Sequence, residues 1–461
     1  MFTERYLSVK QIKININEVV IGMFIAGLDR SWAQTPFPIQ GFYVRDMNEI
    51  KQLRAHCDYV YIDIVKGTPP ARANLRNMPR SGNRKFRLDS LSRKRSVSVA
   101  PLRIKPDTYL YFEPLEKEVK RAKQLHQKVF NAVSEVMSQL NSGALVSAHE
   151  TKRTASDMVD SIIRNPDAFT WLSRIRDADE YTYAHAVRSA VWAILFGRHI
   201  GLDKKELDTL AVGVLMKDIG KTHIPKSLLS KSNRNTQEQA EYESFVERSV
   251  EILRRMSGVE PRIIAVVKTH CERINGSGYP NHLRGDKIPL LGKIAGLVTF
   301  YDEITHPRGI GGPVAPSRAV SRLYKVRGIE FQEDLVVEFI RGIGLYPTGT
   351  LVELNTGEVG VIVEQNFDSR LKPKVALLLD TFKQPLRKPR LLNLAEDDRK
   401  KQSLVDAGKK TIEQVGKIEI AQDLEPGSYD INYDDIFGKC LTKNRKPSLF
   451  SILKNKLYRV L

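Results

Sequence analysis

The chain has 461 residues, 41% of them apolar and 28% charged, with a net charge of +19. That length supplies two to four domains with real cores, and the absence of any apolar run of about 18 residues excludes a membrane-spanning helix. The opening MFTERYLSVKQIKI lacks an apolar signal core, so a cytoplasmic protein is expected, and three widely spaced cysteines, Cys57, Cys271 and Cys440, argue against a disulfide framework.

Residues 1–66 read as a small α/β domain. VKQIKININEV alternates like a strand, MNEIKQLRAH has helical spacing, and YVYIDIV reads as a buried strand. Residues 67–105 follow as a basic linker, rich in Pro, Gly, Ser and Arg. From Lys66 to Lys105 there are twelve Lys or Arg against one acid, Asp89. Such charge suits an anion such as nucleic acid or a membrane surface. A solvated linker is the favoured reading, because Phe86 is the only aromatic residue that accompanies it.

A helical connector spans 106–164, with a helix beginning near Glu113. Leu115, Val119, Ala122, Leu125, Val129, Val133, Val136 and Leu140 recur at spacings of three and four. This stripe suits a coiled coil with a second copy, giving a homodimer, and it equally suits a core face within the chain. From about 144 to 342 helix follows helix, in segments such as AHAVRSAVWAILFGRHIGL, KKELDTLAVGVLMKDIG and LLGKIAGLVTFYDEIT. Gly201 and Gly220 sit where C-terminal caps would. The fold class is therefore mainly α. A small β unit follows over 343–400, with GTLVELNTGEVGVIVEQN as a hairpin across Asn-Thr-Gly and KVALLLD as a strand. The tail, 401–461, ends in a short basic amphipathic stretch from 439, expected to dock on its own protein or to touch a membrane or partner.

Polar residues embedded in the apolar helices carry the chemistry. His185 lies in YTYAHAVRSAVWAI, Asp218 and Lys221 in LMKDIGK, and His270 in VVKTHCERINGSGYP. Helices aim such groups at one point, and imidazole with carboxylate suits iron, manganese or zinc. A lone inward histidine is usually a hydrogen-bonded core residue; three segments converging favour a site. In NGSGYP, Gly276 and Gly278 permit unusual backbone angles, and Tyr279 and Pro280 stiffen the exit.

With these landmarks in order, residues 165–342 resemble the HD-GYP domain, a branch of the HD metal-dependent phosphohydrolases. The matching segments are DEYTYAHAVRSA, KDIGKTHIPKSLL, THCERINGSGYPNHLRGDKIPLLGKIAG, YDEIT and GIGLYPTGTLVEL. Residues 1–66 resemble a small domain often fused to it. The resemblance implies an all-helical HD fold and two divalent metals, iron or manganese, hydrolysing the bacterial messenger cyclic di-GMP.

Carried over by residue, it makes His185, Asp218 and His270 positions of the metal site and Lys221 a contact to substrate phosphate. Four other expected ligands are replaced: Lys217, Phe245, Cys271 and Thr299 stand in their places. Asn275 replaces the loop aspartate; Arg308 matches the arginine after the last site helix, with Gly309-Ile310 replacing the Pro-Tyr that follows it. A protonated lysine has no lone pair for a metal. Lys217 beside Asp218 supplies positive charge where a metal would, and Phe245 supplies an apolar wall. His185, Asp218, His270 and Cys271 still count as donors for one zinc, but the charge of Lys217 argues against it.

The expectation is a degenerate HD-GYP protein in cyclic di-GMP signalling, without catalytic residues or cofactor. It would act as a binding module for cyclic di-GMP, through Lys221, Arg308, Gly276, Gly278, Tyr279 and Pro280, or for a protein such as a diguanylate cyclase. The alternatives are an active phosphodiesterase with an unusual metal site, and a nucleic-acid or membrane binder acting through 67–105 and 439–461.

Overall fold

The computed structural model describes residues 11–29, 37, 41–44, 47–63, 68, 97, 99–105, 108–109, 112–141, 147–175, 181–231, 233–308, 312–366, 369–407 and 416–431. Phe86, Asp89, Cys440 and the amphipathic end of the tail lie outside these residues, as does most of the basic stretch.

The N-terminal unit has strands β1 (Gln11–Asn15), β2 (Phe24–Leu28), β3 (Phe42–Tyr43) and β4 (Tyr59–Asp63), with helix α1 (Met47–His56). They form an antiparallel sheet in the order β1-β4-β2-β3, in which Gln11 faces Asp63 and Asn15 faces Tyr59. Period-two alternation turns Ile14, Ile25, Val60 and Ile62 inward, where they share a core with Ile50 and Leu53 of α1. Strands β2 and β3 add to the strand–helix–strand pattern expected from sequence.

Three helices follow: α2 (Leu115–Asn141), α3 (His149–Arg164) and α4 (Pro166–Ile175). The α2 stripe is covered within this chain. Val119, Ala122, Val129, Val133 and Val136 share one core with Met158, Val159 and Ile162 of α3 and Phe169 and Trp171 of α4. That removes the coiled-coil seam as a reason for pairing with a second copy. The crossing is fixed by Glu118, whose buried carboxylate accepts from Arg164 at 2.8 and 2.9 Å and from Ser161 at 2.7 Å.

The remaining helices are α5 (Tyr181–Ile200), α6 (Lys204–Met216), α7 (Lys226–Ser230), α8 (Thr236–Glu243), α9 (Phe245–Arg255), α10 (Pro261–Thr269), α11 (Leu290–Thr305), α12 (Pro316–Lys325) and α13 (Glu333–Ile343). Gly201 ends α5 at φ +77°, and Asp203 with Glu206 makes a capping box that starts α6. Helix α5 is buried along most of its length because it runs through the middle of the bundle. Trp192, Phe196, Tyr301 and Phe339 meet there edge to face, and burying each ring contributes about 2 kcal/mol.

The C-terminal unit holds β5 (Leu351–Leu354), β6 (Val359–Glu364), β7 (Lys374–Leu379), β8 (Pro385–Asn393), α14 (Leu394–Asp406) and β9 (Ile420–Asp423). The sheet is antiparallel in the order β8-β7-β6-β5-β9. The β5–β6 turn falls on Asn-Thr-Gly as expected. Residues 420–423, read from sequence as tail, instead form the edge strand on β5, and β8 is a second strand that the pattern did not reveal. Val361, Val363 and Ala376 tie this sheet to the helical core. The class is mainly α, with a small α/β unit before it and a β unit after it. Among the described residues no helix is long and apolar enough to cross a membrane. Cys57 and Cys271 are buried free thiols.

Candidate functional site

The site sits where α5, the end of α6, α9, α10 and α11 meet. Helix α6 stops at Met216, and Lys217 and Asp218 lead into a 3-10 turn over Ile219–His223. Gly220 belongs to this turn. It is not the left-handed helix cap expected from sequence: a Cβ there would lie 2.1 Å from the Phe245 carbonyl oxygen, so glycine is needed for close approach to α9. Ser249 of α9 locks the junction, accepting from the Gly220 N–H at 2.9 Å and donating to the Lys217 carbonyl at 3.0 Å.

Lys217 and Asp218 are both fully buried. The Lys217 ammonium donates to Asp218 Oδ2, and Lys221 Nζ lies 2.7 Å from Oδ1. Burial pushes the Asp218 carboxyl up, but the charges of Lys217 and Lys221 outweigh it and hold the carboxyl well below the usual range. Burial likewise opposes the charge on Lys221, and Asp218 beside it raises its pKa overall. Lys221 Nζ also lies 4.5 Å from the centroid of the Phe245 ring.

His185 stands between the two carboxylates of the site and bonds one of them. Its Nδ1–H donates to Asp302 Oδ2 at 2.7 Å, which leaves Nε2 as the lone-pair nitrogen, 3.7 Å from Asp218 Oδ2. Burial, then the nearby Lys217 charge, lowers its pKa and keeps the ring neutral. Asp302 is clamped by Arg188, whose Nε lies 2.9 Å from Oδ1 and Nη2 3.1 Å from Oδ2. Arg188 was not singled out from sequence; its signal was an arginine three residues after His185 in an otherwise apolar helix.

His270 Nδ1–H donates to the Val267 carbonyl at 2.7 Å, and its Nε2 accepts from the Cys271 thiol at 3.3 Å. Burial brings the His270 pKa down to about 3 and pushes the Cys271 thiol up to about 11. Phe245 stands edge-on to His270 and packs with Ile224, Leu228, Val246 and Cys271. Thr299 is buried, and among the described residues neither its Oγ1 nor His185 Nε2 has a hydrogen-bond partner.

The glycine loop is held from one side by Glu272, whose carboxylate accepts the N–H groups of Asn281 and Leu283 at 2.8 and 2.9 Å. Gly276 takes φ +77°, while Gly278 is needed for space, since a Cβ would lie 2.3 Å from the Cys271 carbonyl oxygen. The peptide between Tyr279 and Pro280 is cis, and the Tyr279 ring stands edge-on to Phe245. Arg308 donates to Thr182 Oγ1 at 2.6 Å and sits over the Tyr181 ring, which stacks on His185. Gly309 and Ile310 lie outside the described residues.

The structure thus brings together His185, Lys217, Asp218, Lys221, Phe245, His270 and Cys271, while Thr299 lies on α11 one turn before Asp302. Among the described residues no three His, Cys, Asp or Glu side chains are gathered as a cation would require.

Residues 172–333 match the family described as HD domain, 11–151 match a domain of unknown function, DUF3391, and 351–399 match a KOW domain associated with HD domain. The chain is 28% identical over 371 residues to a cyclic di-GMP phosphodiesterase of Pseudomonas aeruginosa, covering 79% of this chain and 84% of that protein. It is 34% identical over 160 residues to a 3'3'-cGAMP-specific phosphodiesterase of Vibrio cholerae, covering 34% of this chain and 30% of the relative. Among solved structures, an HDG"Y"P protein of Bdellovibrio bacteriovorus aligns at TM-score 0.41 and 15% identity, over 72% of this chain and 98% of that one.

Proposed function

We propose that this chain, which carries an HD domain over 172–333 and a DUF3391 domain over 11–151, is a non-hydrolysing module of bacterial cyclic di-GMP signalling built on the HD-GYP pattern that its sequence resembles. One observation carries the reading: the Lys217 ammonium, fully buried, bonds to the Asp218 oxygen that also faces His185 Nε2. In the resembled enzymes a divalent pair would need that carboxylate. A protonated lysine cannot donate a lone pair, and a second cation on the same oxygen would be repelled.

The surrounding residues support the same reading. Phe245 offers a ring, Thr299 a hydroxyl, and Cys271 a thiol that keeps its proton and donates a hydrogen bond to His270 Nε2. These groups do not fit two divalent cations, and a single zinc on His185, Asp218, His270 and Cys271 would have to displace Lys217. The hydrolysis in question needs metals to pin the phosphodiester and to make hydroxide near neutral pH. For an anionic ligand this chain's own residues offer a fixed glycine loop with Tyr279, and two cations that already hold partners, Lys221 on Asp218 and Arg308 on Thr182, which such a ligand would have to draw away.

The names of the relatives make cyclic di-GMP the first ligand to test. Incubating the chain with cyclic di-GMP and manganese or ferrous iron is expected to yield no linear product, and calorimetric titration is expected to show binding. Absence of both leaves a protein partner, such as a diguanylate cyclase, as the role. Turnover that depends on added metal would overturn the proposal in favour of an active phosphodiesterase.

A further inference from the structure

The β7–β8 connection carries features that the HD site does not use. Phe382 is 82% exposed, the most exposed large apolar side chain among the described residues. The turn that displays it is well braced. The Asp380 carboxylate accepts the N–H groups of Phe382 and Gln384 at 2.9 and 2.8 Å, and the Asp380 N–H donates to the Gln384 carbonyl at 2.9 Å. Lys383, at φ +63°, folds its ammonium back onto Glu353 and the Gly357 carbonyl. The neighbouring side chains are tied to the sheet, and the ring is left in water.

Directly after this turn, β8 departs from regular register. Leu379 pairs with Pro385 and Leu377 with Arg390, so the stretch from Leu386 to Pro389 stands against Leu378 alone. Arg387 and Lys388 occupy this bulge and are exposed. Lys374, Lys383 and Arg390 have acidic partners in Glu364, Glu353 and Glu358; Arg387 and Lys388 make no ion pair among the described residues. Pro385 and Pro389 take N–H donors away from this edge strand, so it is a poor template for adding another strand.

We propose that this tip docks on an anionic membrane surface, with Phe382 entering the boundary between headgroups and acyl chains and Arg387 and Lys388 lying against lipid phosphates. An exposed aromatic ring on a braced turn, followed by two exposed cations with no ion pair among the described residues, suits a flat, negatively charged plane. A nucleic-acid strand is less suited, because successive bases need several rings to stack on and Phe382 has no ring partner among the described residues. The net charge of +19 favours approach to such a surface at long range.

Sedimentation of the full chain with vesicles tests this. Vesicles of phosphatidylcholine with phosphatidylglycerol are expected to carry the protein down, those of phosphatidylcholine alone are not, and raised salt is expected to release it. Each cation near such a surface contributes about fivefold in partition, so Arg387→Glu with Lys388→Glu is expected to lower it by at least about tenfold. Phe382→Ser is expected to lower it as well, with melting unchanged in both variants because the positions are exposed. The proposal falls if no vesicle carries the native chain, or if the variants sediment as it does. It falls equally if a single-stranded oligonucleotide, and not the vesicle, is retained in a Phe382-dependent way.

Discussion

Asp302 and Asp218 lie on either side of His185, both fully buried, and their charges are met in different ways. Asp302 receives directional bonds: the Arg188 fork on both oxygens and the His185 Nδ1–H at 2.7 Å. Asp218 receives two ammonium groups, Lys217 and Lys221, which act as point charges. Around Asp302 the imidazole is oriented and satisfied. On the Asp218 side, His185 Nε2 is left without a hydrogen-bond partner among the described residues. The frame that aims His185 and the charge at the centre are therefore separate devices, and each can be perturbed while the other stands.

The largest effect is expected from the frame. Arg188→Leu leaves Asp302 buried without its fork, which costs about 3–5 kcal/mol and is read as a fall in the urea midpoint. A loss under about 1 kcal/mol would remove the distinction between the two carboxylates. Lys217→Met comes next. Lys221 still faces Asp218, so the expected loss is smaller, about 2 kcal/mol by the same measurement. A stability gain would mean that Lys217 does not neutralise Asp218.

Acid titration of stability compares the two carboxylates directly. At Asp302, burial acts upward and Arg188, His185 and His306 outweigh it, so its folded pKa, like that of Asp218, lies well below the ordinary value. Both groups therefore contribute stability that is present above the unfolded pKa, about 4, and lost as pH falls through the folded values. In Lys217→Met the acid limb is expected to begin at higher pH than in the native chain, and an unmoved limb would contradict the role given to Lys217. The smallest effect is expected from Arg308→Ala, under about 1 kcal/mol, since among the described residues Arg308 bonds Thr182 and sits over the Tyr181 ring without an ion pair.

The helices were legible because their apolar residues repeat with the helical period, and Gly201 stood at the end of one of them. Strand β8 was not, because its prolines and cations read as loop, and β9 was not, because four residues in a polar tail carry no period. At the site, His185, Asp218, Lys221 and His270 stood out as polar residues in apolar helices, and all four meet. Arg188 and Glu272 escaped notice because their work is to hold other groups: one clamps Asp302 and the other fixes the loop backbone. Arg308 matched a pattern in sequence, but its guanidinium is taken up by Thr182 and Tyr181.

Metal content of the purified native chain, measured beside a variant carrying Lys217→His, Phe245→His, Cys271→His and Thr299→Asp, separates a replaced charge from an ordinary metal site. The native chain is expected to hold close to no iron or manganese and to melt at the same temperature with or without chelator, while the variant takes up metal and melts higher with it. Two divalent ions per native chain, lost together with thermal stability on chelation, would contradict the assignment of Lys217 as the cation of this site.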